Sequence, residues 1–135
     1  MAEIFLIACA AKKKSSPARA ALLYDSALFS KSLAYARSQS PDKIFILSAK
    51  FGLLHLDREI PPYEMTLNKM GVGARRDWAE KVIGQLGSQT DLSQDEFTFL
   101  AGQKYREFLM PHMRHTQTPL AGRRIGEQLQ WLGNQ

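Results

Sequence analysis

Cys9, Lys12 and Lys13 stand together in the stretch CAAKK, and a similar mixture recurs twice further along the chain. It returns as Ser48, Ala49, Lys50, Phe51 and Gly52, and again as Ala101, Gly102, Gln103, Lys104 and Tyr105. A thiol or hydroxyl beside small residues and a lysine suits an anion. Small residues let a ligand approach the backbone, N–H groups at a following helix start are free to donate, and the ammonium supplies charge. Taken singly, each lysine is equally a solvated loop residue and each glycine a simple turn. The repetition at three places is what points to a site.

Two further groups carry polar chemistry. Pro61-Pro62 stiffens the chain and delivers Tyr63 and Glu64 in a fixed direction. Tyr63 can stack on a base or sugar while donating a hydrogen bond, or it can pack its loop onto the rest of the protein. In LYDSALF, Tyr24, Asp25 and Ser26 offer either a helix cap, the role that best suits Asp25, or polar groups beside the first CAAKK stretch. Cleavage of an N-glycosidic bond leaves positive charge on the sugar and negative charge on the base, so it needs a carboxylate and a donor. Glu64 or Asp25 can supply the first, and Lys50 or Lys13 the second. A lysine can instead attack the sugar carbon when burial or neighbouring cations lower its pKa. A reactive base leaves its stack, and Tyr63 or Tyr105 can hold it. The catalytic candidates are therefore Lys13, Lys50, Glu64 and Asp25. The ligand-binding candidates are Cys9, Lys12, Tyr24, Ser26, Ser48, Gly52, Tyr63, Gly102 and Tyr105.

Other chemistries find no footing. There is no Ser-His-Asp order, phosphate-loop motif or dinucleotide fingerprint, and Gly71-x-Gly73 is too sparse to count. His55, His112, His115 and Cys9 do not fall at metal-ligand spacing, and Pro111 interrupts the stretch that holds the close histidine pair. No cofactor and no metal are expected.

The elements that must position these residues follow from hydrophobic patterning. Residues 3–8 (EIFLIA) and 43–47 (KIFIL) are short apolar runs of the kind that form strands covered on both faces. Residues 96–100 (EFTFL) make a third strand with weaker alternation. Helices are predicted within 17–39, with Leu22, Phe29 and Leu33 on one stripe and a restart near Ser26. Further helices fall within 70–87, where Trp78, Val82 and Leu86 recur every four residues, and within 102–110 and 122–132. Residues 49–67 form a long connection, anchored in the core by Leu53, Leu54, Leu56 and Met65. This order predicts a single-domain α/β fold, a mostly parallel sheet with helices on both faces. Parallel strands end on a common edge, the usual ligand edge of open α/β sheets. Cys9, Ser48 and Gly102 are then neighbours on that edge.

With 135 residues the chain suits one domain with a real core, and 44% hydrophobic with 23% charged residues is an ordinary globular composition. Its apolar runs are far shorter than the roughly 20 residues a bilayer span needs, so no membrane is expected. In MAEIFLIACAAKKK the charges follow the apolar run, which reads as a first strand and not a signal peptide. A single cysteine excludes an internal disulfide and fits a reducing cytoplasm. The excess of 18 basic over 13 acidic residues, net +5, favours a polyanion: nucleic acid, DNA or RNA, or a nucleotide. Nothing in the residues fixes an oligomeric state.

The set C-x-x-K-K, LY-x-S-x-LF, ILSAK-x-GLL, PY, LAG-x-x-Y and PL-x-G-x-x-I-G spans nearly the whole chain. It resembles an uncharacterised family of small bacterial, archaeal and phage domains. More distantly, ILSAKFGLLHLDREIPPYEM followed by FLAGQKYREFLMP looks like blocks of the YaaA-type peroxide-stress proteins, which bind DNA. Cys9 and Lys13, at C-x-x-x-K spacing, are similar to the middle domain of archaeosine synthase, a tRNA-base-modifying enzyme. Lys14-Ser15 stands where that domain continues with Pro-Tyr. The resemblance implies a nucleic-acid or nucleobase context, and marks Cys9, Lys13, Ser48, Lys50, Gly52, Tyr63, Gly102 and Tyr105.

Overall fold

The strand β1 (Glu3–Ala8) lies at the centre of a five-stranded sheet because both of its faces are apolar. Ile4 and Leu6 project into one buried cluster, Phe5 and Ile7 into another. The computed structural model describes residues 1–135. In it β1 pairs in parallel with β3 (Lys43–Ser48) on one side and β6 (Glu96–Leu100) on the other. The sheet is completed by β4 (Gly52–His55), antiparallel to β3, and β7 (His115–Gln117), parallel to β6, giving the order β4-β3-β1-β6-β7. A two-residue ribbon, β2 (Ala18–Arg19) with β5 (Glu59–Ile60), lies apart from it.

Helices cover both faces. On one, α3 (Val72–Gly87) lays Trp78, Ala79, Val82 and Leu86 against Phe45, Leu47, Phe97 and Phe99. On the other, α2 (Ala27–Ser38) and α5 (Ile125–Gly133) bring Phe29, Leu33, Ala36 and Leu132 over Phe5, Ile7 and Ile46. The two clusters hold 16 and 15 buried residues, so neither face dominates the core. Each large apolar side chain removed from water contributes roughly 1.5–3 kcal/mol, which makes this double burial the main stabilising term. The short helices α1 (Ala20–Leu23) and α4 (Gln103–Arg106) follow β2 and β6.

Several expectations are corrected. The connection 49–67 is not a plain loop: Gly52, at φ +73°, turns the chain back so that Leu53 and Leu54 enter the sheet as part of β4. The expected restart near Ser26 is present, between α1 and α2, but Leu22 does not share the stripe: it is 57% exposed, while Phe29 and Leu33 are buried. Ser26 caps α2 by accepting from Phe29 N at 3.3 Å, so Asp25 is not the cap. Met65 is 42% exposed and is no core anchor. Of the helix expected over 102–110, only α4 and a 3₁₀ turn at Met110–His112 form, the latter around Pro111.

Candidate functional site

The parallel register builds the edge. Ala8 lies opposite Leu47 and Ile7 opposite Leu100, so one step past the first pair and two past the second Cys9 comes level with Ser48 and Gly102. Cys9 N donates to Leu47 O at 3.0 Å, which extends the β1–β3 ladder to the rim itself.

A buried hydroxyl chain lies behind this rim. The hydroxyls of Tyr24 and Tyr63 share a hydrogen bond of 2.7 Å, and Tyr63 shares another of 2.8 Å with Ser48. Ser48 Oγ also accepts from Phe51 N at 3.0 Å, so it pins the turn into β4 as well as joining the chain. Trp78 Nε1 donates to Ser48 O at 2.8 Å, tying α3 to the same point. Burial pushes the phenols of Tyr24 and Tyr63 well above their ordinary range, so both stay protonated. Tyr105 is pushed up to about 12 by burial. Its hydroxyl accepts from Leu67 N at 3.2 Å and lies 3.3 Å from Thr66 Oγ1 and 3.5 Å from Cys9 Sγ.

Lys13 is delivered to this cluster by its backbone. It forms an isolated antiparallel bridge with Tyr24, flanked by Lys14 N to Leu23 O and Asp25 N to Lys12 O, both at 2.9 Å. The half-buried ammonium then sits 4.1 Å from the Tyr63 ring centroid and 5.6 Å from that of Tyr24, within cation–π range, and donates to Ala11 O at 3.1 Å. Partial burial lowers the Lys13 pKa, an effect opposed by Cys9 and Glu64. Lys13 and Glu64 line one open cavity of about 550 Å³ together with Thr66, Lys69 and Met70. Volumes of roughly 300–1,000 Å³ are usual for small-molecule sites.

A second cavity of about 320 Å³ opens between the tips of β1 and β6, α2 and the turn before α5. Cys9, Ser26 and Gly102 line it. No atom lies within 4 Å of where a Gly102 side chain would start, so this glycine faces open space. Gly52 is different: a side chain there would meet Gln85 Oε1, which accepts from Leu53 N at 2.8 Å. Gly52 therefore serves close contact between turn and helix.

The remaining candidates lie outside both cavities. Lys12 and Asp25 pair at 3.7 Å with 79% and 61% of their side chains exposed, a surface contact of small energetic value. Lys50 is exposed, with its ammonium 5.4 Å from the Phe51 ring centroid. Lys104 donates to Asn68 O at 3.3 Å. Sequence patterning missed Thr66, Lys69, Arg106 and Arg123 as lining residues. Arg106 is two residues beyond Lys104 and Arg123 follows Gly122, but neither sits in a strand-tip motif.

Fold and edge together define an α/β domain with a mostly parallel sheet whose carboxyl-terminal strand tips carry two cavities. The chain belongs to the family described as "Family of unknown function (DUF6884)", whose pattern matches residues 4–134. No curated protein and no solved structure matches it.

Proposed function

We propose that this edge binds a nucleobase or nucleotide of a nucleic acid, and that Lys13 and Glu64 act on its N-glycosidic bond. The observation that carries the proposal is the Lys13 ammonium, half-buried over two tyrosine rings and sharing a 550 Å³ cavity with the Glu64 carboxylate. As a base departs, Glu64 stabilises the positive charge growing on the sugar. Burial leaves more Lys13 amine neutral than a solvated lysine would have at the same pH. The neutral amine attacks the anomeric carbon, the bond to the base breaks with its electron pair leaving on the base, and the proton lost by the amine nitrogen goes to the base. The net charge of +5 favours a nucleic-acid substrate. The likeness of residues 46–65 to YaaA-type proteins and of Cys9-x-x-x-Lys13 to archaeosine synthase points the same way, and the single cysteine suits a cytoplasmic setting.

Mass spectrometry on panels of modified DNA and RNA tests the reaction. A released base with the wild type, lost in Lys13→Ala and Glu64→Gln, is the expected result. A second reading, favoured by the positive charge alone, is a protein that coats DNA or RNA without chemistry. Affinity that falls steeply with salt while no panel member loses a base would replace the first reading with the second. Binding of free nucleotides in equilibrium dialysis, with none to polymer, would instead assign the edge to a small-molecule ligand.

A further inference from the structure

The cleft lined by Cys9, Ser26 and Gly102 has no part in the chemistry above, yet it has a marked electrostatic character. Its lining includes Arg106 and Arg123 and no aspartate or glutamate. Arg106 Nε is buried and has no hydrogen-bond partner. A buried donor left without a partner is costly, and arginine cannot lose its charge to escape that cost. Arg123 is held by its neighbours: its Nε donates to Pro119 O at 3.1 Å and its guanidinium lies 5.6 Å from the Trp131 ring centroid. That hydrogen bond engages only the Nε–H of its five donors. Ser32, on α2 and 1% exposed, adds a hydroxyl to the wall, and the amides of Gln103 and Gln128 complete the polar side.

Two guanidinium groups and a hydroxyl, with no opposing carboxylate, match a doubly charged tetrahedral oxyanion. Arginine presents paired donors in a rigid fork whose geometry fits phosphate oxygens. We propose that this cleft is a phosphate-monoester subsite, with Arg106 and Arg123 as the residues that bind the phosphate. Open space at Gly102 leaves the backbone accessible beside it.

The subsite adjoins the Lys13 cavity. Cys9 lines the cleft and its Sγ lies 3.5 Å from Tyr105 OH, which lies 3.3 Å from Oγ1 of Thr66, a residue lining the other cavity. A nucleotide with its phosphate at the arginines and its base at Lys13 would cross this wall. That crossing rests on the function proposed above, whereas the phosphate subsite does not.

Titration calorimetry with inorganic phosphate, a nucleoside 5′-monophosphate, the matching nucleoside, and an oligonucleotide with and without a 5′-phosphate tests the inference. Saturable phosphate binding is expected. The monophosphate should bind more tightly than its nucleoside. Arg106→Ala should weaken phosphate binding by about ten- to a hundredfold, the loss expected for a hydrogen bond to a charged group. Arg123 is exposed, so Arg123→Ala leaves the core intact and should weaken binding by about tenfold. Tighter binding of the phosphorylated oligonucleotide than of the mononucleotide assigns the phosphate to a nucleic-acid end, and the reverse order to a free nucleotide. Saturable phosphate binding by the wild type, retained in Lys13→Ala, with no base released by the wild type from any member of the nucleic-acid panel upholds this subsite and removes the glycosidic proposal. Wild-type affinity in folded Arg106→Ala and Arg123→Ala, or no saturable binding of any phosphate-bearing probe, would overturn the subsite.

Discussion

The two ends of the sheet are finished differently. At the amino-terminal edge of β1, backbone donors meet carboxylates: Glu3 N donates to Asp42 Oδ2 at 2.7 Å, and Ala2 N to Asp95 Oδ1 at 2.8 Å. Asp95 Oδ2 accepts from Asp91 N at 2.8 Å, closing the turn into β6. The cavity there, bordered by Glu3 and Glu96, measures only about 110 Å³. At the carboxyl-terminal edge, cavities of about 320 and 550 Å³ are lined by Arg106, Arg123, Lys13 and Lys69, and Arg106 Nε has no partner. The first edge satisfies its own polar groups, and the second holds charge in reserve. Where a fold leaves a buried donor unpaired and an amine partly desolvated, stability has been given up, and binding or chemistry is the usual reason.

The contrast can be broken in three graded ways. Lys13→Ala should lower base release by at least about a hundredfold, within the range for a lost acid, base or nucleophile. The wild-type rate should rise with pH at values below 10.5, because the folded pKa of Lys13 is lowered and the neutral amine is the attacking form. A rate that falls over that window would assign the chemistry elsewhere. Tyr63→Phe comes next: it removes the hydroxyl that joins Tyr24 to Ser48 and should cost about 1–3 kcal/mol in chemical denaturation, the range for a buried group left unpaired. No change in the denaturation midpoint would mean that the hydroxyl chain is not a structural support of the rim. Asp95→Asn, at the opposite edge, should have the smallest effect, about 1 kcal/mol near neutral pH, since the amide retains one acceptor. Backbone hydrogen bonds from Asp91 and Ala2 hold the Asp95 carboxyl below its usual range. The folded state therefore binds fewer protons than the unfolded one as the acid range is entered. The stability Asp95 adds is complete above the unfolded value of about 3.9 and is lost as pH falls through the lower folded value. Denaturation curves of wild type and variant should converge in acid. Phosphate binding and base release should be untouched by this change, and a loss of either would blur the distinction between the two edges.

Much of this asymmetry was legible in the residues. EIFLIA and KIFIL announced strands covered on both faces and EFTFL a third strand with weaker alternation, and the residues after them shared one composition, so the common rim of Cys9, Ser48 and Gly102 followed from parallel order alone. Local patterning did not show β4, because its antiparallel return depends on Ser48 and Gly52 making a turn against Gln85 of a distant helix. The strand β7, with the sequence HTQ, has no apolar signal and owes its place to pairing with β6. Lys13 and Lys50 stood as equals in sequence. Only the long-range bridge to Tyr24 draws Lys13 inward while Lys50 stays in solvent. Arg106 and Arg123 were invisible for the same reason, since their cleft forms from segments far apart in the chain.

The most direct test of a ligand edge at the carboxyl-terminal strand tips is amide NMR mapping during titration with a nucleoside 5′-monophosphate and with a 5′-phosphorylated oligonucleotide. The amides of Cys9, Lys13, Ser48, Thr66 and Gly102 should shift in a saturable manner, with those of Glu3, Asp42 and Asp95 unmoved. Shifts gathered at the Asp42 and Asp95 edge, or none at any concentration of either ligand, would contradict it.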